Sequence, residues 1–369
     1  MSTGKILLLS AYDAVSHQQW RKGLVAALPE YDWTVLTLPP RHFSWRIRGN
    51  SLTWGLSGDD AFRQGFDLII ATSMTDLSAL KGMRPSLAAV PTLLYFHENQ
   101  FAYPESGMEH GSVEPKITSI YAAISADRIA FNSDYNRRTF LRGSRALLNR
   151  MPDHVPPGID ELLMQKSCIL PVPLNDSLFQ GGKQKIDGPL TILWNHRWEY
   201  DKAPERLFAA LCLLKERGVS FSVNVAGQRF RNAPAVFDQM KGALADHIGA
   251  WGYIESRTEY LATVRRSHVV VSTALHDFQG LAILEATAAG CIPCVPDRLA
   301  YREYIPEQFR FASSPDDAGT ECEALASRLM QLAELHRTGA LPPAPDLSPL
   351  SWNTMRQRYS ELIGKILPG

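Results

Sequence analysis

Two carboxylates flank a glycine-containing loop in the second half of the chain. Asp277 and Glu285 lie eight residues apart, on either side of a segment formed by Phe278, Gln279, Gly280 and Leu281. The segment follows a predicted strand and leads into a predicted helix, whose first N–H groups favour an anion. The two carboxylates can each accept hydrogen bonds from sugar hydroxyls. Alternatively, Asp277 only caps the helix and Glu285 is a solvated helix residue.

Two cations follow another predicted strand. Arg197 and Lys202 lie five residues apart at a strand-to-helix junction, where a planar guanidinium and a compact ammonium could clamp a diphosphate. The alternative is a pair of surface contacts, Arg197 with Glu199 and Lys202 with Asp201, which would contribute little to stability.

The sequence Cys291-Ile-Pro-Cys294 has the C-x-x-C spacing of redox and zinc sites. No second cysteine pair lies nearby, and the pair falls on a predicted buried strand, so we favour a structural role. We find no cluster with metal-ligand spacing and expect no metal.

Strands alternate with helices along both halves of the chain. We predict strands at 5–10, 33–36, 66–71, 92–96 and 128–132, and again at 190–195, 220–226, 247–252, 268–272 and 291–295. This alternation predicts an α/β fold with two Rossmann-like, doubly wound domains that face each other across a cleft. We place the first domain at 1–172, a linker at 173–189 and the second domain at 190–350, with a last helix within 352–369 that packs back onto the first domain.

Composition and missing motifs narrow the function. Neither domain has G-x-G-x-x-G after its first strand, and the chain has no G-x-x-x-x-G-K-[ST], so a nicotinamide dehydrogenase and a P-loop NTPase are disfavoured. The 369 residues carry 38 basic and 38 acidic side chains, which argues against a generic polyanion binder. Five irregularly spaced cysteines and the absence of a long apolar run at the start suggest a cytoplasmic protein without stable membrane insertion.

Two short segments of the first domain are nevertheless basic. In the first, Arg41, Arg46 and Arg48 alternate with aromatic residues such as Trp45 on a predicted loop, which suits an RNA backbone with unstacked bases. In the second, residues 128–150, six arginines face one acid. The candidates there for contact with the acceptor are Arg137, Arg138, Arg142 and Arg145. A solvated helix face and a lipid-binding surface remain alternatives.

The motifs taken together resemble known glycosyltransferases. Arg197 with Lys202, Trp251-Gly-Tyr253, and Asp277 with Glu285 are similar to the donor half of retaining GT-B enzymes of the glycogen-synthase and mannosyltransferase type, which have Glu where this chain has Asp277. A closer resemblance is to the tRNA-queuosine mannosyltransferase family. It is carried by the sequences Ser44-Trp-Arg-Ile-Arg48, Leu94-Tyr-Phe-His-Glu-Asn-Gln100, Phe131-Asn-Ser133, Arg197-Trp-Glu-Tyr-Asp-Lys202-Ala-Pro-Glu205 and His276-Asp-Phe-Gln-Gly280.

This resemblance implies a retaining, metal-independent transfer of mannose from GDP-mannose to queuosine in a tRNA anticodon. On the donor side, Arg197 and Lys202 would hold the diphosphate, Glu285 the ribose, and Asp277 with the backbone of 278–281 the sugar, with Tyr253 beside the base. Fixed cations and helix-start amides would stabilise the charge that builds on the leaving diphosphate.

On the acceptor side, the resemblance implies that His97 faces the anomeric centre. Ser16 and His17 would lie near the diphosphate or the acceptor, and Glu98 and Asn99 are further candidates for contact with the acceptor. Glu98 would either orient His97 or act as a catalytic carboxylate, and His97 as a buried structural residue is the alternative.

Two other functions fit the same residues. One is a GT-B enzyme that uses another nucleotide-hexose or a lipid or saccharide acceptor. The other is a catalytically silent RNA-binding protein of this fold, an idea that Asp277 in place of Glu supports.

Overall fold

The computed structural model describes residues 4–103, 113–181, 187–229 and 233–367. The chain forms two compact units, the first made of residues 1–173 and 352–369 and the second of residues 174–351. Each unit is built on its own six-stranded parallel sheet. The predicted α/β class with two doubly wound domains is therefore confirmed.

The strands of the first sheet are β1 (Lys5–Ser10), β2 (Asp32–Thr37), β3 (Leu68–Thr72), β4 (Thr92–Phe96), β5 (Arg128–Phe131) and β6 (Ser167–Ile169). The strands of the second sheet are β7 (Leu190–Trp194), β8 (Phe221–Ala226), β9 (Ile248–Gly252), β10 (Val269–Val271), β11 (Ile292–Pro296) and β12 (Arg310–Phe311).

The helices are α1 (Val15–Ala27), α2 (Phe43–Gly55), α3 (Leu77–Met83), α4 (Glu114–Ser125), α5 (Asp134–Leu148), α6 (Ile159–Lys166), α7 (Pro204–Glu216), α8 (Val236–Ala243), α9 (Arg257–Arg265), α10 (Leu281–Ala288), α11 (Tyr301–Tyr304), α12 (Ala318–Arg337) and α13 (Trp352–Gly364).

The first sheet has the strand order β2-β1-β3-β4-β5-β6. Strands β3 and β4 are buried along their whole length, as expected for parallel strands covered on both faces. Alternate residues of β1 and β3 pack with Ile47 of α2, whereas Tyr95 of β4 packs with Trp20 of α1 and Tyr359 of α13. The last helix thus belongs to the first unit.

The second sheet has the strand order β12-β11-β10-β7-β8-β9. The chain leaves β7 for β8 on one side and later returns to β10 on the other, so the order reverses at β7. Ligands of doubly wound sheets bind at this switch point, outside the carboxyl ends of the strands.

Two stretches differ from the sequence-based prediction. The predicted loop at Arg41–Arg48 is mostly helix, because α2 begins at Phe43 and buries Ile47 and Trp54 seven residues apart. The proposed linker is partly packed, since Leu174 and Leu178 are buried in the core of the second unit.

Candidate functional site

Hydrogen bonds join the segments at the carboxyl ends of β7 and β10, at the switch point of the second sheet. Trp194 Nε1 donates to Thr273 Oγ1 at 3.2 Å, and that hydroxyl donates to Lys202 O at 2.7 Å. Leu275 N donates to Asp201 O at 2.8 Å. These bonds bring together the cationic segment and the carboxylate segment that the sequence singled out 70 residues or more apart.

Lys202 is a buried cation at this junction. Its Nζ donates to His276 O at 2.6 Å and lies 3.1 Å from Asp201 Oδ2 and 3.8 Å from Asp277 Oδ2. The pairing with Asp201 that we considered as a surface contact exists, but both side chains are buried. Burial strengthens the interaction of the ammonium with its neighbours, so Lys202 is held in one position.

Asp277 lies in the loop before α10 and is not its cap, because Gly280 occupies the cap position. The hydroxyl of Tyr301 donates to Asp277 Oδ2 at 3.0 Å and is itself 2.8 Å from Ser272 Oγ. Burial alone would raise the pKa of the Asp277 carboxyl, but Lys202 and other neighbours oppose burial and lower that pKa overall. The carboxylate is therefore charged and available as a hydrogen-bond acceptor.

The segment between Asp277 and α10 is tightly packed. Phe278 and Gln279 are buried, and Leu281 is the first residue of the helix. Gly280 has a φ of +77°, and a Cβ atom there would lie 2.5 Å from Tyr301 Cε1. Only glycine fits this position, which fixes the direction in which the N-terminus of α10 points.

Arg197 and His196 border the same junction. The Arg197 side chain is 57 % exposed, and its guanidinium lies 3.0 Å from Glu199 Oε2, so it is a surface cation beside the buried Lys202. His196 is buried, and burial lowers its pKa to about 4 although Asp277 opposes the shift. Its Nε2 has no hydrogen-bond partner among the described residues.

Glu285 lies one turn into α10 and is not a solvated residue. Burial raises the pKa of its carboxyl, opposed by Arg257, whose Nη1 is 3.4 Å from Glu285 Oε2. Asn195 Nδ2 donates to Tyr260 OH and to Ala282 O, both at 2.9 Å, and joins β7 to α9 and α10. Tyr253, just after β9, is 65 % exposed.

Two histidines form a stack at the carboxyl edge of the first sheet. His97 follows β4, His17 lies in the first turn of α1, and their ring centroids are 4.2 Å apart. Trp20 meets His97 edge-on at 4.8 Å, and His17 Nδ1 is 2.8 Å from Tyr12 O. Burial lowers the pKa of both imidazole rings. The neighbouring His17 lowers the pKa of His97 further. His97 Nε2 is buried and has no hydrogen-bond partner within the described ranges.

The other residues predicted at this edge differ in how exposed they are. Ser16 is exposed at the start of α1, and the Glu98 carboxylate accepts a hydrogen bond from Tyr103 OH at 2.5 Å. Asn99 is buried, and its amide donates to Asn136 and Thr139 while its oxygen accepts from Phe101 N. The structure thus gives Asn99 a packing role between β4 and α5.

The arginines of the two basic segments are partly neutralised. On α5, Arg137 and Arg138 both pair with Asp134, and Arg145 pairs with Asp160 of α6, whereas Arg142 is exposed. The local charge is therefore smaller than the segment alone suggested.

On α2, Arg48 lies 2.8 Å from Asp76. Arg46 is buried, with its Nε unpaired among the residues that the structure describes. Arg41 and Trp45 are exposed.

Sequence reasoning missed Tyr301, His196 and Arg257 as neighbours of the predicted donor residues. Tyr301 lies 24 residues from Asp277 along the chain, and no local spacing indicated their contact. His196 adjoins Arg197 in the sequence, and only its burial and unpaired nitrogen distinguish it.

The cysteine pair is structural. Cys291 Sγ donates to Val264 O at 3.1 Å, and burial raises the pKa of Cys294 to about 12. Among the described residues, no group of three or more His, Cys, Asp or Glu side chains is placed to hold a metal ion. No helix in the described ranges is long and apolar enough to cross a membrane.

The chain matches one protein family by sequence. A family profile described as "tRNA-queuosine alpha-mannosyltransferase N-terminal" matches residues 5–174. A Drosophila melanogaster protein named tRNA-queuosine alpha-mannosyltransferase is 33 % identical over 320 residues, which are 84 % of this chain and 84 % of the relative. The matched length extends across both units.

Solved glycosyltransferases share the fold. Sucrose-phosphate synthase from Thermosynechococcus elongatus superposes with a TM-score of 0.66 over 98 % of both chains at 15 % identity. The pneumococcal O-GlcNAc transferase GtfA, solved with UDP and GlcNAc, has a TM-score of 0.60 at 15 % identity. That match covers 84 % of this chain and 59 % of GtfA. At these identities the likeness shows the GT-B fold alone.

Proposed function

The chain belongs to the tRNA-queuosine alpha-mannosyltransferase family and is a glycosyltransferase, and from this premise we propose that it transfers mannose from GDP-mannose to queuosine in the anticodon of tRNA. The observation that carries the proposal is the meeting of a buried ammonium, a partly buried carboxylate and a helix N-terminus at the switch point of the second sheet. Because the acceptor is tRNA, we place the reaction in the cytoplasm.

In this proposal the charge of the leaving diphosphate is stabilised by fixed positive groups. Lys202 is already immobilised by His276 O and Asp201, so it needs little reorganisation as charge builds in the transition state. Arg197 is exposed and can turn onto the same diphosphate as a planar fork. The first amides of α10 add a partial positive charge.

The carboxylates hold the donor by its hydroxyl groups. Asp277 is ionised and anchored by Tyr301, so its remaining lone pairs can accept hydrogen bonds from the mannose. Glu285, steadied by Arg257, accepts hydrogen bonds from the ribose. Tyr253 is exposed beside the predicted base pocket and offers a ring face to the guanine.

On the acceptor side, His97 is neutral and its Nε2 has no partner among the described residues. It can accept a hydrogen bond from a substrate hydroxyl. In a front-face reaction, the leaving phosphate takes the proton of the attacking hydroxyl. The configuration at the anomeric carbon is then retained. In this scheme the fixed cations, and not a metal ion, stabilise the negative charge of the leaving diphosphate. We therefore expect a chelator to leave the rate of transfer unchanged.

The test is a transfer assay with purified protein, queuosine-containing tRNA and a panel of nucleotide sugars, followed by mass analysis of the nucleosides. We expect one hexose on queuosine from GDP-mannose alone, with and without EDTA. Addition from UDP-hexoses instead would correct the donor, and tRNA binding with no addition from any donor would favour the catalytically silent alternative.

Variants separate the donor site from the acceptor site. Lys202→Ala and Arg197→Ala should each lower transfer at least 100-fold while tRNA affinity stays within twofold. Lys241→Ala removes an exposed lysine of α8 in the same unit and is the matched control. Loss of tRNA binding by Lys202→Ala would contradict this division of roles.

A further inference from the structure

Helix α2 presents an aromatic ring to solvent. Trp45 is 56 % exposed, whereas Ile47 and Trp54 of the same helix are buried in the first core. The catalytic scheme above uses neither Trp45 nor the surface around it.

The position of the Trp45 ring depends on Gly49, one turn further along α2. A Cβ atom at Gly49 would lie 2.3 Å from Cε2, 2.7 Å from Cζ2 and 2.8 Å from Cδ2 of the indole. The ring therefore lies across bare backbone, and no other residue type at 49 leaves room for it. Glycine destabilises the interior of a helix, and the Trp45 ring that covers position 49 explains why a glycine is found there. The indole rests on the helix backbone, while Trp45 as a whole is 56 % exposed.

Two exposed arginines lie within four residues of Trp45 along the chain. Arg48 lies three residues after Trp45 and so shares its side of the helix. Its side chain is half exposed, and its guanidinium pairs with Asp76 at 2.8 Å and with Glu114 at 3.4 Å. Arg41 precedes the helix and is exposed, with no ion pair among the described residues.

We propose that Trp45, seated on Gly49, is a stacking platform for one unpaired nucleobase of the RNA acceptor, with Arg41 and Arg48 meeting the adjoining phosphates. The inference rests on the proposed function, since it takes RNA to be the acceptor. A fixed ring with an open face and cations beside it is the arrangement that binds single-stranded nucleic acid.

The test measures binding of the full chain to two labelled RNAs, an anticodon stem-loop without queuosine and a blunt duplex of the same stem. Trp45→Ala should weaken binding of the stem-loop about 10- to 100-fold, and Trp45→Phe should restore most of it. Gly49→Ala should act in the same direction as Trp45→Ala because it displaces the ring. Leu56→Ala removes another exposed apolar residue next to α2 and should change nothing. Binding of the duplex should be the same for all variants.

Each contrary result has its own meaning. Unchanged stem-loop binding by Trp45→Ala, or an equal loss for the duplex, overturns the platform. Loss of binding to phosphatidylserine vesicles with RNA binding intact overturns it in favour of a lipid contact. If the wild type binds the stem-loop through Trp45 but transfers no hexose to queuosine, the proposed function fails and the platform stands. If Trp45→Ala transfers hexose with an unchanged KM for tRNA, the platform fails and the proposed function stands.

Discussion

At the scale of single residues, Gly280 controls the geometry of the donor site. Its φ is +77° and a Cβ atom would meet Tyr301, the residue that bonds Asp277. We predict that Gly280→Ala lowers kcat/KM for transfer at least tenfold, because Tyr301 must move and Asp277 with it. Steady-state kinetics with varied donor check this.

Gly339 provides a matched control for that substitution. It also has a positive φ, +71°, but a Cβ atom there would meet nothing within 4 Å. Gly339→Ala should therefore cost only the backbone strain, about 1–2 kcal/mol of stability, and leave transfer unchanged. Equal activity of the two variants would show that the contact with Tyr301 does not matter.

His196 should make the stability of the second unit depend on pH. Its pKa is about 4 in the folded chain and about 6.5 when unfolded. Between these values only the unfolded state binds the proton, so the stability that is present above pH 6.5 falls as the pH drops. We predict that the wild type loses about 1 kcal/mol more than His196→Asn between pH 7.5 and 5.5.

The measurement is urea unfolding followed by tryptophan fluorescence at both pH values. His17 and His97 lie in the first unit and are present in both proteins, so the difference between the two isolates His196. Identical pH dependence of the two proteins would mean that the pKa of His196 is the same in the folded and the unfolded chain.

At the scale of elements, α13 is attached to the first sheet by a hydroxyl group. Tyr359 OH accepts from Trp20 Nε1 at 3.0 Å and lies 3.0 Å from Pro171 O and 3.2 Å from Tyr95 OH. Tyr359→Phe leaves the buried Trp20 N–H without its acceptor, which costs about 1–3 kcal/mol. We predict this loss of stability for the first unit in urea unfolding. Tyr121→Phe, at an exposed position on α4, should cost nothing measurable.

The aromatic residues around Tyr359 also support the histidine pair. Trp20 and Tyr95 pack against each other at 4.4 Å and both contact His97. A helix from the end of the chain thus helps to fix a residue of the predicted acceptor side.

The basic segments show where sequence reasoning at this scale reached its limit. Counting charges within 128–150 gave a strongly positive face, but Arg145 pairs with Asp160, which lies outside the counted segment. A count of charges within one segment leaves out ion-pair partners that lie on the next helix. The helix α2 was missed for a related reason, because Gly49 interrupts its pattern and the ring that explains Gly49 is visible only in three dimensions.

At the scale of the whole molecule, the long buried strands were predicted well, because a continuous apolar run needs two covering layers. The prediction missed β6 and β12, which have three and two residues and carry too little pattern to detect. At the site, the motif residues were found from spacing, whereas Tyr301 and Arg257 reach it from other elements.

The second unit is inserted into the first. Its two ends meet, since Leu174 N donates to Leu350 O at 2.7 Å and Leu174 pairs with Ser351 in an isolated bridge. The second unit has its own sheet and core, so we expect the fragment 174–351 to fold independently. The first unit is discontinuous and depends on the segment after residue 351.

A chain cut after Ser351 should therefore lose the first unit and keep the second. The cut removes Trp352, Met355, Tyr359 and Ile363, all buried, and each such side chain contributes about 1.5–3 kcal/mol. Their sum is comparable to the whole stability of a typical domain, about 5–15 kcal/mol. We predict that the truncated chain binds a hydrophobic dye and shows one cooperative thermal transition, at the same temperature as the fragment 174–351. A truncated chain that melts like the full chain would mean that α13 adds nothing to the first core.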